Sequence, residues 1–325
     1  MSGIKTSGEK RLVLVSGRAH PQLALDIATE LGTELVHTDA RTFANGEIYA
    51  RFDESVRGSD TFVIQSHTDP INEWLMEQLI MVDALKRASA KRITVVAPFY
   101  PYARQDKKGR GREPISARLI ADLFKVAGAD RIMAVDLHAA QIQGFFDGPV
   151  DHLFAMPVLL EHFKEKLDPA TLTVVSPDMG RVRVADIWSD KLGAPLAIIH
   201  KRRDPKVSNR VSVHEIVGQV EGRVCLIVDD MIDTGRTIVL AAEALRAAGA
   251  IGVVVAATHA VFSHPALELL QNPAISEVVV TDTLPIPEEK RFPTLTVLPI
   301  APLLARAIHE VFDEGSVTSM FDGAA

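Results

Sequence analysis

Short runs of aliphatic and β-branched residues alternate along the chain with stretches whose apolar positions recur every three or four residues. RLVLVS (11–16), TFVIQS (61–66), RITVVAP (92–98) and RIMAVD (131–136) predict buried strands in the first half. LTVVS (172–176), PLAIIH (195–200), RVCLIVD (223–229), IGVVVAAT (251–258) and EVVVT (277–281) predict them in the second. Between the strands, residues 21–31 carry Leu23, Ile27 and Leu31 on one helical face, and a helix over 237–248 is stopped by Gly249. This alternation implies an α/β fold in which mostly parallel sheets are covered by helices. Both halves share the strand-helix rhythm without a residue-level repeat. GPVDH at 148–152 separates two such blocks, which gives an N-terminal domain over 1–152 and a C-terminal domain over 153–325. SVTSMF near the end is too short for a domain, so the last stretch, about 306–325, is expected to pack back onto the N-terminal domain.

Composition narrows the class. The chain has 325 residues, long enough for two cores, with 47% hydrophobic and 24% charged residues. A net charge of -7 argues against a general nucleic-acid binder, while a local basic patch can still hold a phosphorylated ligand. The single Cys225 lies in an apolar run and reads as a buried structural thiol in a reducing compartment. The first residues, MSGIKTSGEKR, lack the apolar core of a signal peptide. No segment approaches the roughly 18 apolar residues of a membrane span. The expected location is the cytoplasm, with no membrane and no nucleic-acid partner.

The most informative stretch is CLIVDDMIDTGRTI (225–238), where a strand passes into a helix through DDMIDTGRT. Ligands of open α/β sheets bind at such carboxyl edges. The amides of Thr234 to Thr237 are placed to receive an anion, Gly235 permits a tight turn, and the hydroxyls of Thr234 and Thr237 add donors. Asp229, Asp230 and Asp233 would repel the same anion, by about 4 kcal/mol per close charge pair at an effective dielectric near 20. Their partner is therefore something else: the adjacent hydroxyls of a sugar, which donate to carboxylates, or a bridging Mg²⁺. A phosphorylated ribose satisfies both halves of the loop. The plainer alternative is an acidic strand end followed by an ordinary helix cap.

DDMIDTGRT resembles the phosphoribosyl pyrophosphate loop shared by type I phosphoribosyltransferases and ribose-phosphate diphosphokinases. Arg236 departs from the diphosphokinase pattern, which usually has glycine there, and leans toward the transferases. FANGE (43–47), PFYPYARQDKKGRGREPISA (98–117), VDLHAAQIQGFFDGPVDH (135–152), VSPDMG (175–180), IIHKRR (198–203) and SVTSMF resemble the bacterial-type class I ribose-phosphate diphosphokinases, in the family's order and over nearly the whole chain. The resemblance implies two tandem phosphoribosyltransferase-like domains. It also implies transfer of the β,γ-diphosphoryl group of ATP to the C1 hydroxyl of ribose 5-phosphate, feeding nucleotide, histidine and tryptophan synthesis.

By that resemblance Phe43, Asn45, Gly46 and Glu47 line an adenine site with Arg104 and Gln105, the latter two from a neighbouring subunit. Taken alone, NGE is only a turn signal. Arg104, Lys107, Lys108, Arg110 and Arg112 crowd a Gly-containing loop before a Pro-started helix. Such a run is otherwise a solvated face or nucleic-acid patch, and here suits a lid over polyphosphate. The family usually has something larger than Gly109 or Gly111. His138 and Asp178 match the positions that hold magnesium, two ions per site being expected; on chemistry alone Asp178 is the better donor, because Mg²⁺ prefers oxygen. Lys201 and Arg203 match the catalytic positions, Arg203 also facing ribose 5-phosphate, and Asp229 to Thr237 form the ribose loop. No residue is an obvious general base, and Asp229 or Asp230 could assist. Ser55, Arg57, Arg112, Gln143, Asp151, Ser316, Thr318 and Ser319 match regulatory positions for phosphate and ADP in a homohexamer, and alone would read as surface polar residues. The alternatives are a phosphoribosyltransferase, or a non-catalytic relative that tunes a partner enzyme.

Overall fold

The structure, a computed structural model, describes residues 10–164, 166–203 and 212–321; the side chains of 201–203 and 212–214 also lie outside what it describes. The chain divides into two compact units, one of residues up to Leu153 and from Ala301 onward, the other Phe154–Ile300.

The first unit begins with β1 (Leu12–Ser16), α1 (Pro21–Glu30), β2 (Leu35–Val36), β3 (Thr38–Thr42), β4 (Ile48–Phe52) and β5 (Asp60–Ile64). It continues with α2 (Ile71–Arg87), β6 (Arg92–Val96), α3 (Ser116–Ala127), β7 (Arg131–Val135) and β8 (Val150–Leu153). Its six-stranded sheet has the order β2-β1-β5-β6-β7-β8, and every pairing is parallel. Both faces of such a sheet are covered, so β5 is buried at all five positions and reads as an unbroken apolar run. β3 and β4 form a separate antiparallel hairpin, joined by the FANGE turn, with β4 against α2. The apolar pattern does not announce this hairpin. TDART and IYARF are polar and largely half-exposed, because only one face meets the helix. α3 starts at Ser116, two residues after Pro114, rather than at the proline itself.

The second unit comprises α4 (Met156–Lys164), β9 (Leu172–Ser176), α5 (Val182–Leu192), β10 (Leu196–Arg203), β11 (Ser212–Val217), β12 (Val224–Ile232), α6 (Arg236–Ala247), β13 (Gly252–Ala260), α7 (Ala266–Leu270), β14 (Glu277–Thr281) and β15 (Leu295–Leu298). The order is β11-β10-β9-β12-β13-β14-β15, all parallel except the edge pair β10 and β11. β13 is buried along its whole length. Cys225 lies in this core, its thiol pushed up to about 11 by burial, which leaves it a small hydrophobe rather than a nucleophile. Gly218, just past β11, has φ +126°, and a Cβ there would fall 2.7 Å from the Ala197 Cα, so only glycine lets the two backbones approach.

After β15 the chain rejoins the first unit through α8 (Ala301–Phe312), whose buried stripe of Ala301, Leu304, Ala305 and Ile308 faces α1. Lys10 donates to the Phe312 carbonyl at 3.0 Å and pairs with Glu314 at 2.7 Å. Among the described residues no helix is long and apolar enough to cross a membrane.

In each sheet the strand order reverses direction once, and that point is where a crevice opens at the carboxyl edge. In the first unit it lies between β1 and β5, and side chains fill it. The Gln65 amide packs on Gly17, where a Cβ would sit 2.4 Å away. Glu77, fully buried, accepts from Arg18 Nε at 2.5 Å, the Arg18 amide at 2.7 Å and Gln65 Nε2 at 2.9 Å. Just past β5, His67 is buried with its Nδ1 donating to the Phe99 carbonyl at 3.1 Å, and desolvation pulls its pKa down to about 4. Removing the Arg18 side chain strands a buried carboxylate. Arg18→Ala is expected to lower the unfolding free energy by about 3 kcal/mol, the low end for a broken buried pair because two donors to Glu77 remain. Urea denaturation measures it, and Arg18→Ala with Glu77→Gln should recover most of the loss.

Candidate active site

In the second unit the strand order reverses between β9 and β12, and this is where the carboxylates stand. Asp229 pairs in register with Ala257 of β13, and Asp230 follows before the pairing continues through Met231 and Ile232 to the end of β12. The Asp230 amide donates to Asp229 Oδ1 at 2.8 Å, pinching the two residues together. Arg181, at the start of α5, bridges them: its Nε lies 3.2 Å from Asp229 Oδ1 and its Nη2 lies 2.5 Å from Asp230 Oδ1. The three side chains are 13%, 19% and 8% exposed, so charges that would be screened in water act here at close range. Burial raises the Asp229 pKa well above the usual carboxylate value, and the charge of Asp230 raises it further; Arg181 pulls it partly back.

Past β12 the turn runs through Asp233 and Thr234 to Gly235, which caps α6 with φ +75°. That left-handed conformation strains any residue with a Cβ, and a Cβ here would meet Leu270 Cγ at 3.4 Å. The first amides of a helix have no acceptor within it, and Gly235 offers no capping side chain. The turn therefore presents donors and the positive end of a helix dipole, which is what an anionic group requires. Arg236 and Thr237, in the first turn of α6, are exposed.

Asp178 lies on the turn two residues past the neighbouring strand β9. Its Oδ1 accepts from the amides of Gly180 at 2.8 Å and Arg181 at 3.2 Å, and Ser176 Oγ donates to its carbonyl at 2.7 Å. Asp178 is exposed, a hard oxygen donor at the same sheet edge as Asp229. Mg²⁺ in phosphate chemistry is typically held by one or two carboxylates plus phosphate oxygens, and Asp178 fits that requirement. Among the described residues no three His, Cys, Asp or Glu side chains converge as a ready cage. On the other side of β9, β10 carries the backbone of Lys201 and Arg203, paired antiparallel with His214 and Ser212. Their side chains lie outside the described residues. The strand order β10-β9-β12 thus sets the three predicted loops of this unit side by side.

The remaining predicted residues belong to the first unit. Phe43, Asn45, Gly46 and Glu47 form the β3-β4 turn: the Gly46 amide donates to the Phe43 carbonyl at 2.8 Å, the Phe43 amide to that of Glu47 at 2.7 Å, and Asn45 Oδ1 accepts from the Glu47 amide at 3.2 Å. Gly46 has φ +90°. The Phe43 ring is 45% exposed, sets its edge toward Tyr49 at 6.2 Å, and has the Arg41 guanidinium 5.8 Å from its centre. Arg104 and Gln105 are exposed on the loop after β6, where Ser116 Oγ donates to Gln105 Oε1 at 2.6 Å. In that basic loop Glu113 Oε2 accepts from the amides of Gly109 at 2.7 Å and Arg110 at 2.8 Å, and Arg112 has φ +68°. His138 lies three residues beyond β7 and is half-buried.

A sequence model for the N-terminal domain of ribose phosphate pyrophosphokinase matches residues 12–128, and one for the phosphoribosyl synthetase-associated domain matches 205–322. The ribose-phosphate pyrophosphokinase of Streptomyces coelicolor is 66% identical over 322 residues, covering 99% of both chains. The chain belongs to the ribose-phosphate pyrophosphokinase family. The member from Mycobacterium tuberculosis is 60% identical over 326 residues and the whole of both chains. The crystal structure of phosphoribosylpyrophosphate synthetase from Mycobacterium smegmatis, 59% identical, superposes with a TM-score of 0.88 over 94% of this chain and all of that one. The α/β architecture of parallel sheets flanked by helices is therefore the pyrophosphokinase fold.

Among the residues matched to regulatory positions in the pyrophosphokinases, Ser55, Arg57, Gln143, Ser316, Thr318 and Ser319 are exposed. Asp151 is held by Arg131, whose Nη1 lies 2.8 Å from both carboxylate oxygens. Gln143 Nε2 lies 3.3 Å from His152 Nδ1, and Ser319 Oγ donates to the Ser316 carbonyl at 2.6 Å. Sequence reasoning missed Arg181. The signal was available, since a cation three residues beyond Asp178 sits on the loop that must face Asp229 if the two strands are neighbours, but strand adjacency is not written in the sequence.

Because its folded-state pKa stands above its unfolded one, Asp229 binds a proton more tightly in the native protein, and its ionised form destabilises the fold at neutral pH. Asp229→Asn should therefore melt at a higher temperature than the wild type at pH 7 to 8, and the gap should close as pH falls through the native pKa of Asp229. Calorimetry across pH 4 to 8 on ligand-free protein measures this; a variant less stable at pH 8 contradicts it.

Proposed function

We propose that this chain transfers the β,γ-diphosphoryl group of ATP to the C1 hydroxyl of ribose 5-phosphate, yielding phosphoribosyl pyrophosphate and AMP. The observation that carries the reading is the pairing of buried carboxylates with an anion-receiving turn within nine residues, in a chain 66% identical along its length to a ribose-phosphate pyrophosphokinase. The 5-phosphate sits on the amides and hydroxyls of Thr234 to Thr237, and the ribose hydroxyls donate to Asp229 and Asp230. A phosphoribosyltransferase would use the same loop, and Arg236 suits one, but the full-length identity favours the kinase reading.

The nucleophile is the sugar hydroxyl, so no serine or cysteine nucleophile is needed. The chain must position the two reactants in line and neutralise the charge that spreads over the phosphoryl oxygens. Lys201 and Arg203 supply that positive charge. Mg²⁺ would screen the polyphosphate; Asp178 offers the carboxylate oxygen such an ion prefers, and His138, in the first unit, is a donor that the resemblance implies. Phe43 offers an exposed aromatic face for adenine, Asn45 and Glu47 offer polar groups for its edge, and Arg104 and Gln105 complete that site. Phosphate and ADP as effectors at Ser55, Arg57, Arg112, Gln143, Asp151 and 316–319, a homohexamer and a cytoplasmic location complete the proposal. Any effector reaching Asp151 must contend with its bidentate partner Arg131.

Incubation with ATP, Mg²⁺ and ribose 5-phosphate followed by nucleotide separation should yield AMP. ADP would indicate an ordinary kinase, and turnover of phosphoribosyl pyrophosphate with a free base, without ATP, would indicate a transferase. Lys201→Ala should keep the wild-type melting temperature and lose roughly 10²- to 10³-fold in kcat, the usual effect of deleting one charge-stabilising donor. A near-normal rate would remove Lys201 from the chemistry.

A further inference from the structure

Arg181 has no role in the reaction as outlined, yet it makes the closest side-chain contacts to the two carboxylates that face the sugar. We infer that Arg181 is a positioning residue for ribose 5-phosphate: its guanidinium ties Asp229 and Asp230 into one fixed acceptor for the sugar's hydroxyls. This inference rests on the ribose reading of residues 229–237.

The geometry is that of a clamp. Two different nitrogens of one planar group reach two different carboxylates, at 3.2 and 2.5 Å. A guanidinium presents its donors in a rigid fork, so holding both carboxylates fixes their spacing as well as their charge. Arg181 is itself anchored: its amide donates to Asp178 Oδ1 at 3.2 Å and its carbonyl accepts from the Ala185 amide at 3.0 Å, at the point where α5 begins. The base of the side chain is thereby set by the turn after β9, and its tip by the end of β12. Adjacent carboxylates mostly out of water repel each other, and without a cation between them they would turn apart and spoil the spacing of a diol acceptor. Both arginine contacts fall on Oδ1 atoms, and an ionised carboxylate accepts several donors, so the same pair can hold Arg181 and a sugar hydroxyl together. Lysine at this position would restore charge without the fork.

The test compares Arg181→Ala, Arg181→Lys and Arg181→Gln in the full-length protein by steady-state kinetics with ATP and ribose 5-phosphate varied in turn. Arg181→Ala should raise the KM for ribose 5-phosphate about 10- to 100-fold, the range expected for losing a charge-assisted hydrogen bond, with the KM for ATP within about twofold. Arg181→Lys should recover part of the loss and Arg181→Gln little. If alanine does not fold, lysine against glutamine carries the same comparison. An unchanged KM for ribose 5-phosphate, equal rises in both KM values, or a loss confined to kcat overturns the inference, the last placing Arg181 on the transferred diphosphoryl group. Calorimetric titration of ribose 5-phosphate separates this outcome from failure of the broader reading. Wild type that binds the sugar without forming AMP would refute the proposed reaction while the variants' affinities still judge Arg181; wild type that neither binds nor reacts sinks both.

Discussion

Two carboxylates drawn out of water at the end of one strand constrain everything around them. Asp229 and Asp230 are mostly buried and next to each other in sequence, and burial together with the charge of Asp230 disfavours ionisation of Asp229. A protein selected for stability alone would place apolar or neutral residues there. Arg181 offsets part of that cost, and in the proposed reading a sugar with adjacent hydroxyls is a neutral partner able to donate to both. The anion-receiving turn that follows must then stay apart from them, which Gly235 achieves by bending the chain into α6 through a left-handed residue.

Each unit has one point where its sheet reverses strand order, and the two units treat that point differently. In the first, Gln65 covers Gly17, and Glu77 with Arg18 forms a satisfied buried pair, so the crevice is filled. In the second, the same topological position holds the Asp178 turn, Arg181 and the 229–237 loop. A filled crevice returns stability because its buried carboxylate, Glu77, accepts from several donors, whereas a binding crevice keeps groups whose best partners arrive with the ligand. The first unit presents its candidate ligand groups elsewhere, on the β3-β4 turn and the basic loop before α3.

The proposed chemistry makes modest demands on the protein. Diphosphoryl transfer to a hydroxyl involves no covalent intermediate, so the contribution of side chains is charge and placement. Cations on separate elements fit that demand: Lys201 and Arg203 at the end of β10, the basic run from Arg104 to Arg112, and Arg181 against Asp229 and Asp230. In the basic loop Glu113 holds the backbone of Gly109 and Arg110, accepting from their two successive amides.

The sequence by itself determined the buried parallel strands, because a strand covered on both faces must be apolar throughout, and it made the 229–237 stretch the candidate site, because anion turn and carboxylates lie within nine consecutive residues. The NGE turn was equally legible, since Gly46 needs a positive φ. Tertiary structure alone decided the rest. The β3-β4 hairpin and the edge strand β11 are not announced by an apolar run and owe their strands to a partner, whereas PLAIIH predicts β10. The filling of one crevice depends on Glu77 meeting Arg18 and Gln65 across 59 and 12 positions. The meeting of Arg181 with Asp229 and Asp230 depends on β9 lying beside β12, although β10 and β11 intervene along the chain. Local propensity acts over a few residues, and which strand neighbours which is settled only when the whole sheet closes its core.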